Sequence, residues 1–168
     1  SGGIISGNSF EGCGIRINNM TTIDGNQIGY CPHEGINITG FHNTVSNNEI
    51  FKNGQAGNGI QAGIYVYHGS NNLITGNTFW DTSSPRKQVN CYAEAPSVEY
   101  NSIIGNNMKD SPYKVNLSVS ADSVVRDNLG WVTMQVGYVD VLPGGHSVKA
   151  NHTIDSSIIN VQCSIRPI

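Results

Sequence analysis

Two carboxylates, Asp81 and Asp110, stand at one offset in a repeated phrase, four residues beyond an Asn (Asn77 and Asn106), and Lys52 holds the same offset after Asn48. If the repeats stack as strands, such residues become vertical neighbours about 4.8 Å apart. Carboxylates roughly 5 Å apart could serve a retaining glycosidase or, with water, hold a Ca²⁺ ion. An Asp before Thr or Ser, as in Asp81-Thr82 and Asp110-Ser111, also caps a turn, so both readings stand. A second constellation is Tyr30-Cys31-Pro32-His33-Glu34. His33 could act as a base near neutral pH with Glu34 beside it, although a solvated turn histidine is the plainer reading. A third is a ladder of outward positions, Arg16, Asn37, Tyr65, Tyr67, His68 and Tyr92, flanked by Trp80, Arg86 and Lys87. Aromatic faces stack on sugar rings, and Asn, Arg and His reach hydroxyls and carboxylates, so such a face suits a linear glycan. Exposed Tyr in strands is equally ordinary β propensity.

These residues share positions only if the chain winds regularly, and its repetition predicts that it does. The phrase recurs as ISGNSF, IDGNQI, VSNNEI, ITGNTF and IIGNNM, with a worn copy, VVRDNL, at Val124 to Leu129. Self-similarity at about 20 to 30 residues marks a solenoid, and strand alternation with an Asn in the turn makes the unit a β-coil. A second phrase, GIRI, GINI and GIYV, follows each copy at Gly14, Gly35 and Gly63. Alternation there puts Ile15, Ile36, Ile64, Val89, Cys91, Val115 and Leu117 inside, with Arg16, Asn37, Tyr65, Asn90 and Asn116 outside. Tyr67 and Tyr92 fall in the next outward column. Asn8, Asn26, Asn48, Asn77 and Asn106 are expected to stack, because Asn tolerates left-handed bends and its amide can bond to the rungs above and below. Spacing from the Gly-Ile strand to the following Asn is nearly constant, but from that Asn to the next such strand it varies widely, so one side takes insertions, Phe51 to Ala62 and Trp80 to Gln88.

This pattern resembles the pectin-lyase-like superfamily of right-handed parallel β-helices, which includes pectate lyases, polygalacturonases, alginate epimerases, phage tailspikes and copper-maturation periplasmic proteins. The likeness covers roughly residues 1–130. It implies an all-β, single-stranded solenoid of about five to six coils, but one fold hosts many chemistries. Pro32, His33 and Glu34 resemble part of the Asp-Pro-His-Glu motif that carries catalysis in alginate epimerases, with His68 able to supply another ring. Cys31 stands where that family has Asp.

Residues 131–168 read differently. Strand-like runs around a Pro143-Gly144-Gly145 turn predict a small antiparallel β-hairpin or partial β-sandwich, similar to modules appended to extracellular and phage β-helices. The chain opens in mid-pattern, so it is expected to be a piece of a longer protein lacking its first coils. With 38% hydrophobic residues, 12% charged and net charge −3, it suits an elongated β-domain. That charge argues against nucleic acid and anionic membranes as partners. The four cysteines lack metal spacing, and a Cys13–Cys31 disulfide is open although the two precede their Gly-Ile strands at different offsets. His33, His42 and His68 are too dispersed for a metal-delivery role.

The expectation is therefore an extracellular or cell- or virion-surface β-helix that binds or processes a polysaccharide, as lyase, hydrolase, epimerase or tailspike. The alternative is a structural or adhesive shaft whose tail assembles a homotrimer.

Overall fold

Each repeat carries three short segments centred on an apolar residue, and each becomes a strand. The computed structural model describes residues 2–57, 62–88, 90–96, 98–110, 113–117 and 122–130. The first coil comprises β1 (Ile4–Ser6), β2 (Ser9–Glu11) and β3 (Ile15–Ile17). The second has β4 (Thr22–Asp24), β5 (Gln27–Gly29) and β6 (Ile36–Ile38); the third, β7 (Thr44–Ser46), β8 (Glu49–Phe51) and β9 (Ala62–Val66). The fourth has β10 (Leu73–Thr75), β11 (Thr78–Trp80) and β12 (Asn90–Glu94); the fifth, β13 (Ser102–Ile104), β14 (Asn107–Asp110) and β15 (Tyr113–Asn116). β16 (Val124–Arg126) begins a sixth. Strands at the same place in each coil pair in parallel, giving sheet A (β1-β4-β7-β10-β13-β16), sheet B (β2-β5-β8-β11-β14) and sheet C (β3-β6-β9-β12-β15). This is the all-β parallel β-helix that the repeats predict. The region expected to form the hairpin, 131–168, lies outside the described residues.

The central residue of each sheet A and sheet B strand points inward. Ile23, Val45, Ile74 and Ile103 stack in sheet A, and Ile28, Ile50, Phe79 and Met108 in sheet B, all essentially solvent-free. Each buried aliphatic side chain contributes about 1.5–3 kcal/mol.

All three corners share a recurrent device: a residue with left-handed backbone, then, in most coils, a side chain that bonds to a neighbouring coil. Between sheets A and B the left-handed residues are Gly7, Gly25, Asn47, Gly76, Gly105 and Asp127. The residue after each is Asn8, Asn26, Asn48, Asn77, Asn106 or Asn128. Every Oδ1 from Asn26 onward accepts the backbone N–H of the Asn one coil earlier, at 2.8–3.0 Å. These steps span 18, 22, 29, 29 and 22 residues, which are the coil lengths.

Two further ladders escaped the sequence reading. Between sheets C and A, Met20, His42, Asn71 and Tyr100 are left-handed. The adjoining chain runs Thr21 to Asn43, Asn72, Asn101 and Ser123. Between sheets B and C, Gly12, Tyr30 and Lys52 are left-handed, and Cys31, Asn53 and Gln88 form the third chain. Asn43, Asn72 and Asn101 each lie five residues before an Asn of the first ladder, a regularity visible in the sequence.

Strand β12 overturns one expectation. Tyr92 pairs with Ile64 and Glu94 with Val66, so Tyr92 and Glu94 point inward, and Ala93 joins the outward column beside Tyr65. Tyr92 is fully buried and cannot contact a ligand. Asn90, expected outside beside Tyr65, instead faces Ala62. Cys91 is buried, as expected. The polar pair is tolerated because Glu94 Oε1 accepts bonds from Tyr92 Oη (2.6 Å), Asn101 Nδ2 (3.0 Å) and Ser123 Oγ (2.7 Å). Burial first, then the Glu94 carboxylate, pushes the Tyr92 phenol well above its ordinary range.

Candidate functional site

Two consecutive coils build a shallow cleft at the sheet B–sheet C corner. One wall is Gly14, Ile15 and Arg16; the other is Pro32, His33 and Glu34, with Asn37 closing it, around a volume of about 180 Å³. Arg16, Asn37 and Tyr65 stand in one outward column because β3, β6 and β9 pair without a slip. Gly14 is required here. A Cβ at Gly14 would lie 2.6 Å from the Glu34 carbonyl oxygen, so any side chain would push the two walls apart. The inserted loop after β8 fixes the second wall: the backbone N–H groups of Gly54, Gln55 and Ala56 donate to the carbonyls of His33, Cys31 and Pro32 at 2.7–3.0 Å.

The polar groups of the cleft are complementary. Arg16 and His33 are exposed and Glu34 is half-buried. Asn37 Oδ1 is buried and accepts no hydrogen bond among the described residues. Tyr65 stands close enough to Glu34 to feel its charge. Burial first, then Glu34 and Tyr67, pushes its phenol above the ordinary range, so Tyr65 is a neutral donor. The Tyr67 ring lies 6.2 Å from that of Tyr65 and is 59% exposed, extending the face. His68 packs edge-on against Phe41 at 6.0 Å, towards the next corner.

The paired-carboxylate expectation does not survive. Trp80 faces Asp110 across a register irregularity between β11 and β14, which moves Asp110 out of the Asp81 column. Asp81 is fully buried; Oδ1 accepts the Ser83 N–H, and Oδ2 those of Lys87 and Gln88, at 2.7–2.8 Å. Both oxygens are consumed in closing the loop that carries exposed Arg86, so neither can attack a sugar or ligate Ca²⁺. Among the described residues, no group of three or more His, Cys, Asp or Glu side chains converges to hold a metal ion.

Burial raises the Asp81 pKa, but the bonds from Ser83, Gln88 and Lys87 outweigh it and leave the group below its ordinary 3.8. A depressed folded pKa contributes stability above the unfolded value that is lost as pH falls through the folded one. Amide protection at Ser83, Lys87 and Gln88 should therefore fall as pH drops below 3.8. In Asp81→Asn it should already be weak at neutral pH, with no acid transition. Hydrogen exchange corrected for intrinsic rates measures both.

Trp80 and Lys52 lie on the outer face of sheet B, apart from the cleft. The Phe51 and Trp80 rings stack at 4.6 Å and 3°, with Tyr30 edge-on to Phe51 at 5.6 Å. The Lys52 ammonium lies 5.2 Å from the Trp80 centroid and 5.5 Å from that of Tyr30. Trp80 Nε1 donates to Glu49 at 2.9 Å. Rings stacked rung upon rung spend their faces on one another, so Trp80 serves the scaffold rather than a sugar. The aromatic at the third position of β8 and β11 was the overlooked signal. Any Cβ at Gly29 would collide with the Phe51 ring. Gly29→Ala should therefore unstack Phe51 from Trp80, red-shift the tryptophan emission and cost about 1–3 kcal/mol in urea unfolding.

Of the sequence candidates, Arg16, His33, Glu34 and Asn37 are thus brought into one cleft, with Tyr65 and Tyr67 beside it. Asp81, Asp110, Lys52, Trp80, Arg86 and Tyr92 are not. Comparison with known proteins agrees with the architecture: a family model described as "right handed beta helix region" matches residues 1–139. Neither a curated protein nor a solved structure matches the chain.

Proposed function

Because this chain belongs to the right-handed β-helix family, we propose that it binds a linear polysaccharide along the outer face of sheet C, outside the cell or on a virion surface. The observation that carries this reading is a cleft on two successive coils that presents Arg16, His33 and Glu34 together, beside the exposed Tyr67 ring. Sugar hydroxyls would donate to the Glu34 carboxylate. Arg16 would donate to a uronate carboxylate or to a hydroxyl oxygen, and Tyr65 would donate its phenolic proton. Tyr67 offers an exposed ring for stacking.

Where the bound chain is also processed, Glu34 and His33 are the groups placed for proton transfer, as in a lyase, hydrolase or epimerase of the pectin-lyase-like kind. The register slip at Asp110 removes the support for a two-aspartate glycosidase.

Affinity electrophoresis through gels containing neutral or uronate-bearing polysaccharides tests the reading. The wild type should be retarded most by an acidic polymer. Arg16→Ala should lower that affinity roughly ten- to hundredfold, the loss of one charge-assisted hydrogen bond of about 1.5–3 kcal/mol. Retardation by no polymer would favour the shaft instead.

A further inference from the structure

We infer that Cys13 and Cys31 form a disulfide site, in which a small-molecule disulfide oxidant converts the two thiols into a cross-link between the first two coils. The register places them together. Phe10 pairs with Ile28 and Glu11 with Gly29, a step of 18 residues, and the Gly12 N–H donates to the Gly29 carbonyl at 3.0 Å. Cys13 and Cys31 are separated by that same step, so they occupy one corner position on successive coils. The different offsets to their Gly-Ile strands, apparent in the sequence, arise from the extra residues after Cys31 and do not separate them. Neighbouring rungs lie about 4.8 Å apart, inside the Cα separation of roughly 4.4–6.8 Å that a disulfide needs. Both thiols are free, and Cys31 Sγ lies 2.8 Å from the Cys13 carbonyl oxygen.

The corner itself gives a second, independent argument. At the sheet A–sheet B corner side-chain amides run from coil to coil in an unbroken chain, and at the sheet C–sheet A corner three asparagines stand between Thr21 and Ser123. Here the amide chain of Gln88 and Asn53 ends at the Cys31 N–H, and the two remaining rungs carry thiols. A disulfide would supply the inter-coil tie that amides supply elsewhere. Each cysteine also immediately precedes one wall of the cleft, Cys13 before Gly14 and Cys31 before Pro32, so the bond would staple the two walls at their base.

Exposure sets the order of events. Cys13 is exposed and Cys31 buried, and burial pushes the Cys31 thiol up to about 11. The Cys13 thiolate attacks oxidised glutathione, forming a mixed disulfide and releasing one glutathione thiolate, which takes up a proton. Cys31 then loses its proton and attacks Cys13 Sγ, and the second glutathione leaves as its thiol. Two protein thiols are oxidised and one glutathione disulfide is reduced to two thiols. This inference stands whether or not the cleft binds a glycan.

The test incubates the whole chain with oxidised glutathione and maps its peptides. The expected product is lighter by two hydrogens, contains a dithiothreitol-sensitive peptide joining Cys13 to Cys31, and unfolds about 5–10 °C higher. Cys13→Ser, a change at an exposed position, should show neither the joined peptide nor the rise. A glutathione adduct that persists on Cys13, a bond to a different cysteine, or thiols left unchanged would each overturn the assignment.

Discussion

Asn77→Ala should destabilise the β-helix by about 3–5 kcal/mol, because it strands several buried groups at once. Asn77 Oδ1 accepts from the backbone N–H and the Nδ2 of Asn48, both at 3.0 Å. Its Nδ2 donates to the carbonyls of Val45 and Thr75 and to Asn106 Oδ1, at 2.9–3.1 Å. Alanine replaces none of these bonds, and water cannot reach a position with no exposed surface. Asn8 provides the internal control. It is exposed, and its Nδ2 donates to Ser6 and, at 3.3 Å, to Asn26. Asn8→Ala should cost below about 1 kcal/mol. Urea unfolding of both variants checks the contrast; equal losses would mean that the ladder does not hold the coils together.

Glu94→Ala should be comparably severe, at about 3–5 kcal/mol, since it removes one acceptor shared by three donors. Tyr92 Oη, Asn101 Nδ2 and Ser123 Oγ would all be left facing a cavity between the fourth and fifth coils. Glu94→Gln separates this account from simple loss of volume. Its amide oxygen can still accept from those donors, while its Nε2 would replace an Oε2 that has no partner among the described residues. Glutamine should therefore recover more than half of the alanine loss, as read from thermal unfolding. A glutamine variant as unstable as alanine would show that charge, rather than the count of accepted bonds, is what the network needs.

The coil architecture was legible because its signals are local and repeated. An apolar residue between two polar ones, then a small left-handed residue, then Asn, specifies a strand, a corner and an inter-coil bond within six positions. Two things were not legible. In β12 the run Val89-Asn90-Cys91-Tyr92-Ala93-Glu94 alternates, and the apolar members Val89, Cys91 and Ala93 make the more natural inner face. The outcome for Tyr92 and Glu94 depends on partners that arrive later in the chain, at Asn101 and Ser123, so alternation within the strand could not decide it. The cleft was hidden for a related reason. His33 and Glu34 meet Arg16 because β3 pairs with β6, Arg16 facing Asn37, and the turn that precedes β6 folds back beside β3. In the sequence they belonged to separate constellations. Asp81, by contrast, bonds to N–H groups two, six and seven residues ahead, which is the turn-capping reading that its sequence context already allowed.

The sheet C face can be tested where it stands by hydroxyl-radical footprinting with and without the polysaccharide that retards the protein most. A glycan lying across Arg16, Asn37 and Tyr65 should protect Tyr65 and Tyr67 several-fold and leave Trp80 and Tyr30, on the sheet B side, oxidised at the same rate. Protection centred on Trp80 and Tyr30, or spread evenly over both faces, would contradict the assignment of sheet C as the binding surface.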